Sequence, residues 1–109
     1  MSVDAALTEH DAVGLAALIR AGEFTARECA EAAIRRIEAE NPRLNAVVAT
    51  DFERALEVAA HAPVDTPFAG VPFLVKDVVA EVEGLAVTEG SRFLGHHISP
   101  SDSELVERF

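Results

Sequence analysis

The sequence contains few or none of several residue types that support particular functions. Tryptophan and tyrosine are absent, and phenylalanine is the only aromatic residue type. There is one cysteine, which excludes an internal disulfide and suits a reducing compartment. No apolar run approaches the roughly 20 residues of a transmembrane helix, and the first residues lack the basic start and apolar centre of a signal peptide. These absences predict a cytoplasmic location.

Positive charge is also scarce. The chain has 9 lysine and arginine residues against 19 aspartate and glutamate residues, which gives a formal net charge of −10. Such a surface repels nucleic-acid phosphates and anionic membranes, so we expect neither as a partner. Half of the 109 residues are apolar, which is typical of a folded domain and not of a disordered segment. This length allows one small domain with a modest core.

Hydrophobic spacing predicts three helices in the first 62 residues. The first runs from about Asp11 to Ala21 and the second to about Glu40. Thr25-Ala26-Arg27-Glu28 is a capping box that opens the second helix, and Pro42 is predicted to end it. The third helix follows the capping box at residues 50–53 and runs to about residue 60.

Two apolar runs, Leu44–Ala49 and Phe73–Val75, predict strands. The fold class expected from this pattern is α/β, with helices packed on one face of a small mixed sheet. Within residues 1–109 we expect residues 1–10 to be a surface leader and residues 11–62 to be a helical part with a short strand. Residues 63–109 then hold the second strand and the start of a following helix, opened by a capping box at residues 101–104.

The segment Gly70–Asp77 joins an apolar run to a Lys-Asp pair. Lys76, the only lysine, would lie at the carboxyl end of a buried strand, where α/β folds place ligand sites. From these eight residues alone, the favoured interpretation is a lysine whose stem packs on the core while its ammonium reaches water.

The same segment resembles the first catalytic motif of the amidase signature family, which reads Gly-Val/Ile-Pro-x-x-x-Lys-Asp. Further similarity lies upstream at residues 41–47, and downstream at Gly84, Thr88 and Gly90-Ser91. The resemblance implies the N-terminal part of the larger amidase signature fold. The Gly/Ser-rich segment that carries the other two catalytic residues of this family, both serines, is not found in residues 1–109.

In the family that the chain resembles, a lysine at the position of Lys76 takes a proton from a nucleophilic serine through a second serine held by a cis peptide. The resemblance therefore implies Lys76 as the catalytic residue, made neutral by burial, and a small-molecule amide as substrate. No cofactor is expected, and a homo-oligomer stays open. No metal is expected either, because the adjacent His96 and His97 have no third ligand at a familiar spacing. No serine is assigned as the nucleophile. The four serines near the C-terminal end are not embedded in the Gly/Ser-rich turn that exposes a nucleophile, and helix capping explains Ser101 better; these are Ser91, Ser99, Ser101 and Ser103.

Three hypotheses follow. The chain is the N-terminal part of an amidase that releases ammonia or amine from a carboxamide, inactive alone. Alternatively, it is the corresponding portion of the amidase component of a tRNA-dependent amidotransferase, or an interaction module derived from the family. We expect the isolated chain to pack loosely, to bind hydrophobic dyes and to form oligomers.

Overall fold

The computed structural model describes all 109 residues, and helices are its main regular elements. Five α-helices and one short 3-10 helix follow one another along the chain: α1 Val3–Glu9, α2 Ala12–Arg20, α3 Ala26–Leu44, α4 Phe52–Ala60, the 3-10 helix Arg92–Leu94, and α5 Glu104–Glu107. The residues form two compact units. Unit 1 comprises Met1–Ala46 and Phe52–Phe73, and unit 2 comprises Val47–Asp51 and Leu74–Phe109.

Helix α1 corrects the interpretation of residues 1–10 as a surface leader. Ser2 is its N-cap and accepts a hydrogen bond from the amide N of Ala5 at 3.2 Å. Ala6 is fully buried in the core of unit 1, and α1 packs against α3. The spacing of Val3, Ala6 and Leu7 is that of a helix with one apolar face, so the helical signal was present in the sequence.

Helices α2 and α3 begin where the sequence predicts. Asp11 caps α2 by accepting from the amide N of Gly14 at 2.8 Å. At the start of α3 the capping box is complete. The Thr25 hydroxyl oxygen accepts from the Glu28 amide N at 3.1 Å, and the Glu28 carboxylate accepts from the Thr25 amide N at 2.8 Å.

The end of α3 differs from the prediction. Pro42 lies inside the helix, which continues to Leu44 and ends at Asn45 in the left-handed conformation with φ 50°. The amide N of Asn45 donates to the Asn41 carbonyl at 2.7 Å, and the Asn41 side chain accepts from the amide N of Ala46 at 2.9 Å. Proline lacks a backbone N–H donor, but a helix can continue past it when the backbone groups of the following residues form hydrogen bonds.

The core of unit 1 is formed by Ala6, Leu15, Ile19 and Cys29, which we call the unit 1 core cluster. Val71, which precedes the Lys-Asp pair, is one of the partly buried residues packed against it. Helix α4 packs against α3, with Phe52, Leu56 and Ala59 half-buried as predicted. Unit 1 therefore holds four helices together with the start of the segment that carries Lys76.

The expected small mixed sheet is absent, so this part of the fold prediction is wrong. Residues 45–49 and 71–76 have no regular secondary structure, and Leu44 belongs to α3. The only β-type pairing is an isolated antiparallel bridge between Ala86 and Ile98. Two strands are marginal in water unless further strands or a helix cover an apolar face, and these short runs lack such partners.

Unit 2 is held largely by backbone hydrogen bonds across its loops. The amide N of Val87 donates to the His97 carbonyl at 3.0 Å, and that of Ser99 donates to the Leu85 carbonyl at 3.0 Å. Helix α5 begins after Ser103, two residues later than the predicted cap at Ser101. In neither unit is there a helix with the length and apolar character needed to span a membrane. The cytoplasmic location stays a prediction.

Candidate active-site segment

The segment that carries Lys76 begins at a tightly packed glycine. Gly70 has φ +79°, a conformation that side-chain-bearing residues rarely adopt. A Cβ atom at this position would lie 2.7 Å from the Cβ of Ala26 and 3.3 Å from the Cγ2 of Ile19. The absence of a side chain thus allows the backbone of residue 70 to approach α2 and α3.

After Val71 the chain leaves the core and its apolar side chains meet solvent. Phe73 and Leu74 are 65% and 64% exposed, and Val75 is 37% exposed. Lys76 is exposed as well. The prediction that Lys76 ends a buried strand is therefore wrong for this structure, because residues 73–75 form no strand and are exposed.

Asp77, the next residue, is held firmly. Its Oδ1 accepts from the amide N of Thr88 at 2.7 Å, and its Oδ2 accepts from the Thr88 hydroxyl. The Thr88 hydroxyl bond, followed by the Thr88 amide bond, lowers the pKa of Asp77 below its ordinary value, against a smaller opposing effect of burial. Asp77 is therefore an ionised anchor and not a proton donor at neutral pH.

Thr88 opens the turn to which Asp77 is bound. Its carbonyl accepts from the amide N of Ser91 at 2.8 Å, and its hydroxyl oxygen accepts from the amide N of Gly90 at 3.3 Å. Glu89 and Gly90 both have positive φ, 49° and 70°. Asp77 matches the family motif and Thr88 matches a further family position, but the sequence assigns neither residue a role. No local signal shows that residues 11 positions apart are bonded.

Three of the four serines in unit 2 bond to nearby backbone. The Ser91 oxygen accepts from the amide N of Phe93, and the Ser99 hydroxyl donates to the Ser101 carbonyl. Ser99 is only 2% exposed. The Ser103 hydroxyl donates to the Glu81 carbonyl at 3.4 Å. These contacts give Ser91, Ser99 and Ser103 local structural roles.

The remaining candidate side chains form no second site. Cys29 is fully buried, and burial, with a smaller effect of the Glu28 charge, raises the pKa of its thiol. A thiol in this setting is a poor nucleophile, as expected from its apolar sequence neighbours. The Nε2 of His97 lies 4.0 Å from the Oε1 of Glu81, and both side chains are nearly half exposed.

Comparison with known proteins identifies the family. The sequence model of the amidase family matches residues 28–109, three quarters of the chain, including all of Gly70–Asp77. The chain belongs to the amidase family. This match confirms the family resemblance that was inferred from the sequence.

Several similar relatives in this family belong to amidotransferases. The chain is 41% identical over 109 residues to a glutamyl-tRNA(Gln) amidotransferase subunit of Lachnospira eligens, covering 94% of this chain and 22% of that protein. It is 39% identical over 110 residues to the protein of the same name from Salinispora arenicola, with the same coverage.

A relative of another kind is also similar. The 6-aminohexanoate-cyclic-dimer hydrolase of Pseudomonas sp. is 42% identical over 75 residues, which cover 69% of this chain and 15% of that protein. The chain thus spans about a fifth of the length of the amidase-family proteins that it matches. It corresponds to one portion of these proteins.

Proposed function

We propose that the chain is the N-terminal part of an amidase that hydrolyses a carboxamide to a carboxylate and ammonia or an amine. In this proposal Lys76 is the general base. The observation that carries the proposal is the amidase-family match over residues 28–109, which contains an ungapped Gly70–Asp77 motif. The anchoring of Asp77 on Thr88 supports it, because it fixes the backbone next to Lys76.

The proposed reaction needs two serines that lie outside residues 1–109. The nucleophilic serine attacks the amide carbon, while its proton passes through the second serine to the Lys76 amine. Backbone N–H groups stabilise the oxyanion, and the leaving amine takes the proton as the C–N bond breaks. Water then hydrolyses the acyl-enzyme, which gives the carboxylate and restores the serine. The isolated 109-residue chain is inactive in this proposal.

Lys76 can accept a proton only when its amine is neutral. In this structure Lys76 is exposed. Burial is what disfavours the charged form of a lysine side chain. The proposal therefore requires that the complete protein covers Lys76 and withdraws it from water. The exposed apolar residues just before it would be covered at the same time.

A second candidate function is the corresponding part of a tRNA-dependent amidotransferase. The similarity to two amidotransferase subunits over 94% of the chain favours it. The Gly70–Asp77 motif fits both functions, so the two are separated by substrate dependence. An amidase would release ammonia from a free carboxamide by itself. The amidotransferase part would need its partner subunits and glutamyl-tRNA(Gln) for full turnover.

The test uses the complete protein encoded by the reading frame that contains this chain. Lys76→Ala should abolish ammonia release from carboxamides. Lys76→Arg should not restore it, because a guanidinium is not neutral in this pH range. Arg92→Ala is the matched control, since it removes an exposed cation from the 3-10 helix of the same unit.

Two results would contradict the proposal. Near-normal turnover by folded Lys76→Ala would show that Lys76 is not the base. A complete reading frame without a Gly/Ser-rich segment, combined with no hydrolysis of any carboxamide, would favour the interaction module.

A further inference from the structure

Two hydrogen bonds join Asp77, the residue after Lys76, to Thr88. A single carboxylate binds both donors of Thr88, its amide N and its hydroxyl, and both contacts are partly buried. The Thr88 hydroxyl in turn accepts from the amide N of Gly90. Residue 77 is thus fixed to a turn 11 positions further along the chain, within unit 2.

This contact acts on the residue beside the proposed base. Adjacent Cα atoms are about 3.8 Å apart, so fixing residue 77 limits where the Lys76 side chain leaves the backbone. The Lys76 side chain is long, flexible and exposed, so the position of its backbone sets the region that its amine can reach. A general base must lie within hydrogen-bond reach of the proton that it accepts. A fixed backbone at residues 76–77 therefore increases the fraction of conformations in which the Lys76 amine lies within reach of that proton.

We propose that Asp77, through its two hydrogen bonds to Thr88, is a positioning residue that orders the backbone of Lys76. The proposal rests on the proposed function of Lys76 as the base. Asp77 does not itself exchange protons with the substrate, because both of its carboxylate oxygens are bound to Thr88.

The first test measures backbone order by ¹⁵N relaxation in the 109-residue chain, at a concentration at which sedimentation shows a monomer. We expect the amide of Lys76 to have an order parameter in the rigid range, about 0.85, in the wild type. In Asp77→Ala and in Thr88→Val it should fall below about 0.6. Asp77→Asn keeps one acceptor oxygen for the Thr88 amide and should retain most of the order. Because Lys76 is the only lysine, lysine-selective labelling identifies its signal directly.

Asp102→Ala is the matched control for this measurement. The Asp102 Oδ1 also accepts a backbone bond in unit 2, from the amide N of Glu83 at 2.7 Å, but neither residue of this contact is adjacent to Lys76. The control should leave the Lys76 order parameter unchanged. A flexible Lys76 in the wild type, no change in Asp77→Ala, or the same change in Asp102→Ala would overturn the proposal. Loss of order throughout residues 80–99 would show a general structural role and would overturn it too.

The second test uses the complete protein and separates this proposal from the proposed function. Asp77→Ala should lower kcat by about 10- to 100-fold with little change in KM, because the base is misplaced while substrate contacts remain. Asp77→Asn should recover most of this loss.

The outcomes of the two variants are distinct. If Lys76→Ala abolishes turnover and Asp77→Ala keeps the wild-type kcat, the positioning role is wrong and the function stands. If Lys76→Ala keeps its turnover, the proposed function is wrong, and the relaxation measurement still decides whether Asp77 orders Lys76.

Discussion

Gly70 meets two separate constraints, one on its backbone and one on the space beside its Cα. Its φ of +79° is costly for any residue with a side chain, and a Cβ would overlap Ala26. Gly22 has a similar φ of +76° in the same unit, but no atom lies within 4 Å of a Cβ built there. The two glycines therefore allow the steric cost to be measured apart from the backbone cost.

We predict that Gly70→Ala lowers the free energy of unfolding more than Gly22→Ala does. The backbone cost is about 1–2 kcal/mol in both variants. Gly70→Ala adds overpacking against Ala26 and Ile19, which typically costs about 1–3 kcal/mol. Urea denaturation of the wild type and both variants measures the difference. Equal losses would show that the packing of residue 70 against α2 and α3 relaxes without cost.

For single residues, the sequence predicts which side chains are candidates for catalysis better than it predicts which side chains are in contact. The Lys-Asp pair at residues 76–77 was recognisable as a candidate site because its order matches a family motif. The bond between Asp77 and Thr88 was not predictable, since it joins two loop positions with no periodicity between them. Likewise, exposure of Lys76 depends on which elements cover residues 73–75, and that is a property of tertiary packing.

At the scale of elements, the signals that succeeded are local hydrogen-bonding patterns. The capping box at Thr25 and Glu28 needs only residues within one turn, and the structure contains both of its bonds. The strands failed because a strand is stable only with a partner, and an apolar run of three to six residues does not specify one. Pro42 failed as a stop signal because Asn45 and Asn41 supply the bonds that end α3 one turn later.

We predict that the α3 cap makes stability depend on pH. The Glu28 carboxylate accepts hydrogen bonds from the amide and the hydroxyl of Thr25. These bonds, of which the amide bond has the larger effect, lower the pKa of Glu28 from its ordinary value of 4.5. A carboxyl with a lowered pKa in the folded state stabilises the fold above its unfolded pKa. This stabilisation is lost as the pH falls from about 4.5 through the folded value.

Glu28→Gln should weaken that acid dependence, and Thr25→Ala should cost about 1 kcal/mol near neutral pH. Denaturation across the range from acid to neutral pH measures both effects. Glu38→Gln, which removes an exposed carboxylate from the same helix, is the control. An acid dependence that Glu38→Gln reduces as much as Glu28→Gln would point to net charge, and not to the cap, as its cause.

At the scale of the molecule, the buried apolar surface is small and comes largely from alanine. Six of the ten buried apolar residues are alanines, and only Ala80 and Val87 among the ten belong to unit 2. Because burying an alanine methyl group contributes less than burying a leucine or isoleucine, the core is modest for 109 residues. Meanwhile residues 73–79 include five exposed apolar side chains, among them Leu74 and Val79 at 64% and 73% exposure.

We predict from this imbalance that the 109-residue chain binds a hydrophobic dye and associates as its concentration rises. Contiguous exposed apolar side chains favour both behaviours. The double variant Leu74→Ser/Val79→Ser should lower the dye fluorescence and shift sedimentation towards the monomer.

Val13→Ser/Val58→Ser is the matched control, because Val13 and Val58 are 60% and 64% exposed but lie singly on helices α2 and α4. If the two double variants reduce dye binding equally, exposure in general and not the run at residues 73–79 causes it. If the wild type binds no dye and melts sharply as a monomer, loose packing is excluded and the interaction module becomes the better hypothesis.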